Sequence, residues 1–490
     1  MQVHFTRIIL AFVCLCGLSS PGAFAAPHFA TGIKVGEVTP TTAIVWTRLT
    51  KAANAVPADG PKLTVTYTDE NGVTSEEFQG DRFTRKPTVI YPEGATVDTL
   101  AGAAPGTSGS ARVRYTPKDT EAWKETAWMD VDPARDFTAH IPLSDLTPAT
   151  EYRIVVESRG PDGTPGDSID GRFETAPTVD DPYRVVFTVT TGQKYDDQDA
   201  PGGGFKIYDA MAKLKPCFFV HTGDILYYDQ LAKNVDLARW HWSRMYSLPT
   251  NVAFHRIVDS YFMKDDHDTW QNDCWPTMGG PFMGDLTFVQ GQAIFLEQVP
   301  MSEKTYRTFR WGKDLQIWLV EGRDFRSPND APDGPEKTIW GAEQIAWFKK
   351  TVGESDATFR VLISPTPLVG PDRGTKNDNH ANAGFTHEGN DLRAFIAAQR
   401  NMIVICGDRH WQYVSADPTT GIREYSCGPA SNEHAGGWKP EDTRPEHRYL
   451  RVTGGFLAVT VDRASGAPLM TLRHHGVDGD VLNEDWFQGK

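Results

Sequence analysis

Carboxylates, imidazoles and one phenol recur at three places where an apolar run breaks into a polar turn. The first is Val220-His221-Thr222-Gly223-Asp224-Ile225-Leu226-Tyr227, reached through Cys217-Phe218-Phe219. The second is Met263-Lys264-Asp265-Asp266-His267-Asp268, reached through Tyr261-Phe262. The third, Gly407-Asp408-Arg409-His410, follows Asn401-Met402-Ile403-Val404-Ile405-Cys406. Oxygen and nitrogen donors of these types hold divalent or trivalent metal ions. One Gly-Asp after an apolar run is an ordinary turn; three such runs in one chain point to a shared metal site.

A short apolar run that ends in turn chemistry is the pattern of a buried strand. Strand ends of this kind direct Asp224, Tyr227, Asp266 and His267 toward one edge of a sheet. In open α/β sheets that edge is where ligands bind. From Tyr183 onward the chain alternates strand and helix, which predicts an α/β layered core. Strands are expected at Arg184–Val189, Leu315–Val320 and Phe359–Ser364. Helices are expected at Gly204–Lys215, Gly341–Val352 and Asn390–Gln399, with apolar residues on one face. Residues 455–472 read as a terminal hairpin.

The segment before Tyr183 has a different texture, with short alternating, β-branched runs such as Ala43–Thr47 and Leu63–Tyr67. Leu146-Thr147-Pro148-Ala149-Thr150-Glu151-Tyr152 has the spacing of the tyrosine corner of immunoglobulin-like and fibronectin III sandwiches. The domains are therefore expected to be a β-sandwich over 27–177 and an α/β domain over 182–490. Residues 73–124, rich in Gly, Pro, Thr and charge, read as an insertion.

The three motifs, G-D-x-x-Y, D-D-H-D and G-D-x-H, resemble those of the calcineurin-like metallophosphoesterases, and within them the alkaline phosphatase D (PhoD-like) branch. The resemblance extends over nearly all of the mature chain. It implies a metallophosphoesterase β-sandwich flanked by helices, with an all-β domain in front, and hydrolysis of a small phosphoester by metal-activated water. It implies Asp224 as the carboxylate shared by two ions and Tyr227 as a phenolate ligand of the harder ion. Asp266 stands where most relatives use Asn to ligate the second metal. His267 is implied as the proton donor to the leaving group, its ring fixed by Asp268 or Asp265. Asp408 and His410 match the G-D-x-H ligand pair. His380 falls where relatives carry an acidic residue, with Asp378 two positions away; either is a candidate metal ligand, or the loop's polarity is ordinary solvation. His387, His434, His447, His474 and His475 read as surface or structural.

One motif departs from the pattern. The branch often shows S-C-Q in its first motif, where this chain has Thr191-Gly192-Gln193. Gly192 offers no thiolate to iron, while Gln193 remains an oxygen ligand and Asp196 or Asp197 lies nearby in sequence. The implied cofactor is a divalent or mixed-valence metal pair. A carboxylate at Asp266 favours Ca²⁺, Gly192 disfavours Fe³⁺, and Mn²⁺ and Zn²⁺ stay open. The alternatives are hydrolysis of another ester such as a sulfate, or a degenerate scaffold that binds without turnover.

Composition narrows the class further. The chain has 490 residues, enough for two domains, and a net charge of −15 that argues against nucleic acid or an anionic membrane as partner. His4 and Arg7, an apolar run from Ile8 to Leu18, and Ala23-Phe24-Ala25 form a secretory signal pattern over 1–25. A secreted or periplasmic protein without a membrane anchor is expected. Cys217 and Cys406 read as buried thiols, and Cys274 and Cys427 could pair. Oligomeric state is not legible.

Overall fold

A computed structural model describes residues 26–76 and 84–489. The expected signal segment, 1–25, lies outside them. Two sheets form the centre of the part after Tyr183. One has the order Asp259–Phe262, Phe218–His221, Val185–Thr190, Phe456–Asp462, Leu469–His475, Val481–Gln488. Its first three strands are parallel, and the remaining pairs are antiparallel. The other sheet runs Arg307–Trp311, Leu315–Leu319, Phe359–Ser364, Met402–Cys406, Arg423–Cys427, Gln412–Ala416, His447–Arg451.

The two sheets enclose one apolar layer built from Phe187, Phe218, Val220, Ile317, Val361 and Ile405 among others. Strands buried on both faces are continuous apolar runs, which is why Phe218–His221 and Met402–Cys406 show no alternation. Helices cover the outer faces. Lys206–Lys213, Val235–Tyr246, Pro249–His255 and Phe288–Gln298 pack on the first sheet. Gly341–Glu354 and Thr386–Ala397 pack on the second. The first two chemical motifs therefore end neighbouring strands of one sheet, as expected, and the third ends a strand of the facing sheet. The expected terminal hairpin gains a third strand, Val481–Gln488.

The N-terminal part is a sandwich. Ile33–Gly36, Ala43–Arg48 and Thr138–Leu143 form one sheet. Glu151–Arg159 lies between Ser110–Pro117 and Pro165–Glu174 in the other. The two share the apolar residues Val35, Val45, Val113, Ile141 and Ile154. The Tyr152 hydroxyl accepts a hydrogen bond from the Thr147 amide at 2.8 Å, closing the expected corner.

The insertion expected over 73–124 is not a single appendage. Ser110–Pro117 is a core strand of the sandwich, paired along its length with Glu151–Arg159. Thr64–Thr68, Thr74–Ser75 and Lys86–Ile90 form a small separate sheet. Its Tyr67 stacks on Phe282 at 5.3 Å, so the sheet rests on the helical layer. Cys274 and Cys427 are free, buried thiols, as are Cys217 and Cys406, so the considered disulfide is absent. Among the described residues no helix is long and apolar enough to cross a membrane.

Candidate metal centre

The three parallel strands of the first sheet and Met402–Cys406 of the second all end at one place. The Thr191 hydroxyl joins these ends, donating to the Gly223 carbonyl at 3.3 Å and accepting from the Asp408 amide at 3.2 Å. Asp224 and Asp408 both adopt left-handed backbone conformations, with φ of 55° and 60°. Non-glycine residues there carry strain that the surroundings must hold, and such residues cluster at functional sites. Gly223, with φ of 111°, has no room for a side chain, because a Cβ would lie 2.6 Å from the Asp265 amide nitrogen. Its absence lets the two carboxylate-bearing turns touch.

Donor atoms of Asp224, Asp266 and His267 lie within 4.8 Å of one another, and so do those of Asp224, Asp265 and Asp408. Asp224 belongs to both groups. His410 Nε2 is 3.3 Å from Asp224 Oδ2 and 3.3 Å from the Tyr227 hydroxyl. The structure thus brings together Asp224, Tyr227, Asp266, His267, Asp408 and His410, each singled out from sequence.

Electrostatics suit a cation. Asp224 Oδ1 and Asp265 Oδ2 are buried without a hydrogen-bond partner. Burial, and then the neighbouring Asp266, pushes the Asp224 pKa well above the usual carboxylate range. Burial likewise pushes Asp408 up to about 6. Several buried carboxylates facing one another stay ionised only when positive charge lies among them. A cation pair fits the donor set. Arg323 supplies part of the compensation, its Nε donating to Asp265 Oδ1 at 2.6 Å. Burial would raise Asp266, but Arg323 and His267 outweigh it and depress its pKa.

His267 sits between Asp229 and Tyr227. Its Nδ1 is 3.0 Å from Asp229 Oδ2, and its ring centroid lies 4.4 Å from that of Tyr227. Burial disfavours the imidazolium, yet Asp229, Asp266 and Asp224 together raise the pKa well above the ordinary histidine value.

Three assignments are corrected. Neither Asp268 nor Asp265 is bonded to the His267 ring: the Asp268 carboxylate accepts from the amides of Ile225 at 3.1 Å and Asp265 at 2.6 Å, and Asp265 Oδ1 accepts from Arg323 Nε. Asp229, on the short helix Tyr228–Leu231, orients the ring instead. Gln193 turns into the core, where its side-chain oxygen accepts from the Tyr208 hydroxyl at 2.7 Å. His380 is fully buried, bonded to the Glu388 carboxylate at 2.8 Å and set edge-on to Trp340, and it belongs to neither donor group. Neighbouring Asp378 lies among Lys376, Arg409 and Arg326, which hold its pKa low against the effect of burial.

His434, read from sequence as surface or structural, lies in the site. Its Nε2 is 2.5 Å from the Tyr227 hydroxyl, and its ring centroid is 4.3 Å from that of His410. Burial lowers its pKa to about 4. The flanking Ser431-Asn432-Glu433 and Ala435-Gly436-Gly437 carry no periodic signal that would have singled it out.

The family model of PhoD-like phosphatases matches residues 187–448. The fold is similar to a solved structure of PhoD, with a TM-score of 0.70 at 16% identity, covering 96% of this chain and 92% of that one. It is also similar to the purple acid phosphatase PPD1 from seeds of yellow lupin (Lupinus luteus), with a TM-score of 0.59 at 14% identity, covering 91% of this chain and 79% of that one. No curated protein sequence matches the chain. Because the family match takes in more than half of the chain and all three motif turns, the chain belongs to the PhoD-like phosphatase family.

Proposed function

We propose that this phosphatase is an exported hydrolase of small phosphate esters, acting through water activated at a metal pair held around Asp224. The observation that carries the reading is the position of Asp224, shared by two donor groups with His267 in one of them. Asp224, Tyr227, His410, Asp266 and Asp408 would hold the ions. Bound metal would supply a nucleophilic water and neutralise charge on the phosphoryl oxygens.

The chain's own residues supply the rest. Asp229 occupies Nδ1 of His267 and leaves Nε2 for the leaving-group oxygen. Asp229, bonded to Nδ1, favours the protonated imidazole that a general acid needs at the start of the reaction. Asp268 fixes the turn that carries His267 against the turn that carries Asp224. The oxygen-rich Asp265, Asp266 and Asp408 side suits a hard ion such as Ca²⁺. Export is supported by the apolar run Ile8–Leu18 and the small residues at Ala23 and Ala25. N-terminal sequencing of secreted protein should find a start near Ala26.

The test is the variant Asp224→Ala, assayed on p-nitrophenyl phosphate and bis-p-nitrophenyl phosphate, which also separates monoesterase from diesterase action. Bound metal and turnover should disappear together. Metal retained at wild-type stoichiometry in a folded Asp224→Ala protein would refute the site.

A further inference from the structure

We propose that His434 is a metal ligand, completing with Asp224, Tyr227 and His410 a donor set that contains no thiolate. The proposal rests on the metallohydrolase reading above and adds to it a ligand and a metal class.

Four donor atoms from four separate segments converge. His434 Nε2 is 2.5 Å from the Tyr227 hydroxyl, which is 3.3 Å from His410 Nε2, itself 3.3 Å from Asp224 Oδ2. The other nitrogen of His434, Nδ1, donates to Asp197 Oδ2 at 3.0 Å. A carboxylate on Nδ1 fixes the tautomer, so Nε2 presents its lone pair to the site. This carboxylate–histidine pattern orients metal-ligating imidazoles generally. In the arrangement seen, the Tyr227 hydroxyl donates to that lone pair. Asp224 Oδ1, beside them, is buried without a partner.

The backbone is built to admit a second imidazole. Gly192 has φ of +42°, and a Cβ there would lie 2.9 Å from His410 Nε2 and 3.2 Å from His434 Cδ2. Any side chain at 192 would press on both rings; glycine leaves the space to them. The loop that carries His434 is tied down on either side. Ala430 donates to the Gly192 carbonyl at 2.9 Å, and Gly436 donates to the His410 carbonyl at 2.9 Å. His434 thus approaches from the same direction that a longer side chain at 192 would occupy.

Donor chemistry then sets the metal class. Two imidazoles, a phenol and a carboxylate suit Zn²⁺, Mn²⁺, Co²⁺ or iron, whereas Ca²⁺ takes oxygen ligands alone. This position therefore takes a transition metal.

The experiment titrates the metal-stripped full chain with Co²⁺, followed by calorimetry and by the visible d–d absorption. His434→Ala should weaken the tight Co²⁺ equivalent by at least about 100-fold and alter the spectrum, and Asp197→Asn should weaken it by about 10–100-fold. His434→Gln provides the same comparison if His434→Ala does not fold. In addition, the Co²⁺ form of the wild type should show hyperfine-shifted N–H resonances from two imidazoles. Wild-type affinity and spectrum in folded His434 variants, or a single shifted imidazole, overturns the proposal. If those variants bind as wild type while Asp224→Ala loses Co²⁺, only the role of His434 fails. If Asp224→Ala also binds as wild type, or the wild type binds none, the metallohydrolase reading fails with it.

Discussion

Residues of the site were legible in the sequence wherever a strand end announced them. Asp224, Tyr227, Asp266, His267, Asp408 and His410 all follow apolar runs, and a buried strand has few other ways to end. What the sequence hid were partners brought in from elsewhere. Asp229 reaches His267 from a single turn of helix, and His434 arrives on a loop without period or motif. The resemblance implied Asp268 or Asp265 as the partner of the His267 ring, whereas the Asp268 carboxylate faces backbone amides and Asp265 faces Arg323. If His267 is the proton donor, His267→Ala should retain bound metal and lose roughly 10²–10⁴-fold in rate. The loss should be small for p-nitrophenyl esters, whose leaving group needs no proton, and large for alkyl esters. Asp229→Asn should show the same leaving-group dependence in weaker form. Equal losses on both ester types would reduce His267 to a binding residue.

At the scale of elements, strand positions were read well and their partnerships poorly. The parallel strands, the terminal hairpin and the corner at Tyr152 each carry a local signal, whether apolar continuity, alternation or a spaced Pro and Tyr. Ser110–Pro117 was lost inside the presumed insertion because Gly, Pro and charge surround it, although Ala111 and Val113 are buried in the sandwich core. Its pairing with Glu151–Arg159 is long-range and leaves no mark in either segment alone. The first two motifs do end neighbouring strands of one sheet, as expected, whereas no local pattern says which sheet Met402–Cys406 will join. Asp268 is the clasp between two of these elements, holding the Ile225 and Asp265 amides in a buried turn. Asp268→Ala strands both amides, at roughly 1–3 kcal/mol for each buried donor left unsatisfied. The denaturation midpoint should fall with an unchanged denaturant slope. A midpoint equal to that of the wild type would mean that other acceptors already serve those amides.

Over the whole molecule, the sandwich and the α/β part are fastened by polar contacts around buried aromatic rings. Trp46 Nε1 donates to the Glu297 carbonyl at 2.9 Å, Lys34 Nζ to the Gln298 carbonyl at 2.9 Å, and the Tyr261 hydroxyl to the Val38 carbonyl at 2.7 Å. We place the domain division between 177 and 182 on the change of rhythm there, and these contacts make the two parts resist separation. The fold also encloses histidines that are not among the donors of the candidate metal centre, and burial makes them contribute to its response to acid. His474 is fully buried, donates from Nε2 to the Ser426 carbonyl at 3.0 Å, and packs against Tyr449 at 4.9 Å. Burial lowers its pKa from 6.5 to about 4, with the Ser426 carbonyl opposing the shift. A depressed folded-state value means that the unfolded chain binds the proton first as pH falls. The contribution of His474 is therefore intact above pH 6.5, declines between 6.5 and about 4, and is gone below that. Within the window one such group contributes at most about 1.4 kcal/mol per pH unit. His474→Gln keeps a donor for the Ser426 carbonyl and removes the titration. Its denaturation midpoint, measured against pH, should be flatter than that of the wild type across this window and parallel to it above pH 7. Parallel curves throughout would show that His474 takes up its proton in the folded state as readily as in the unfolded one.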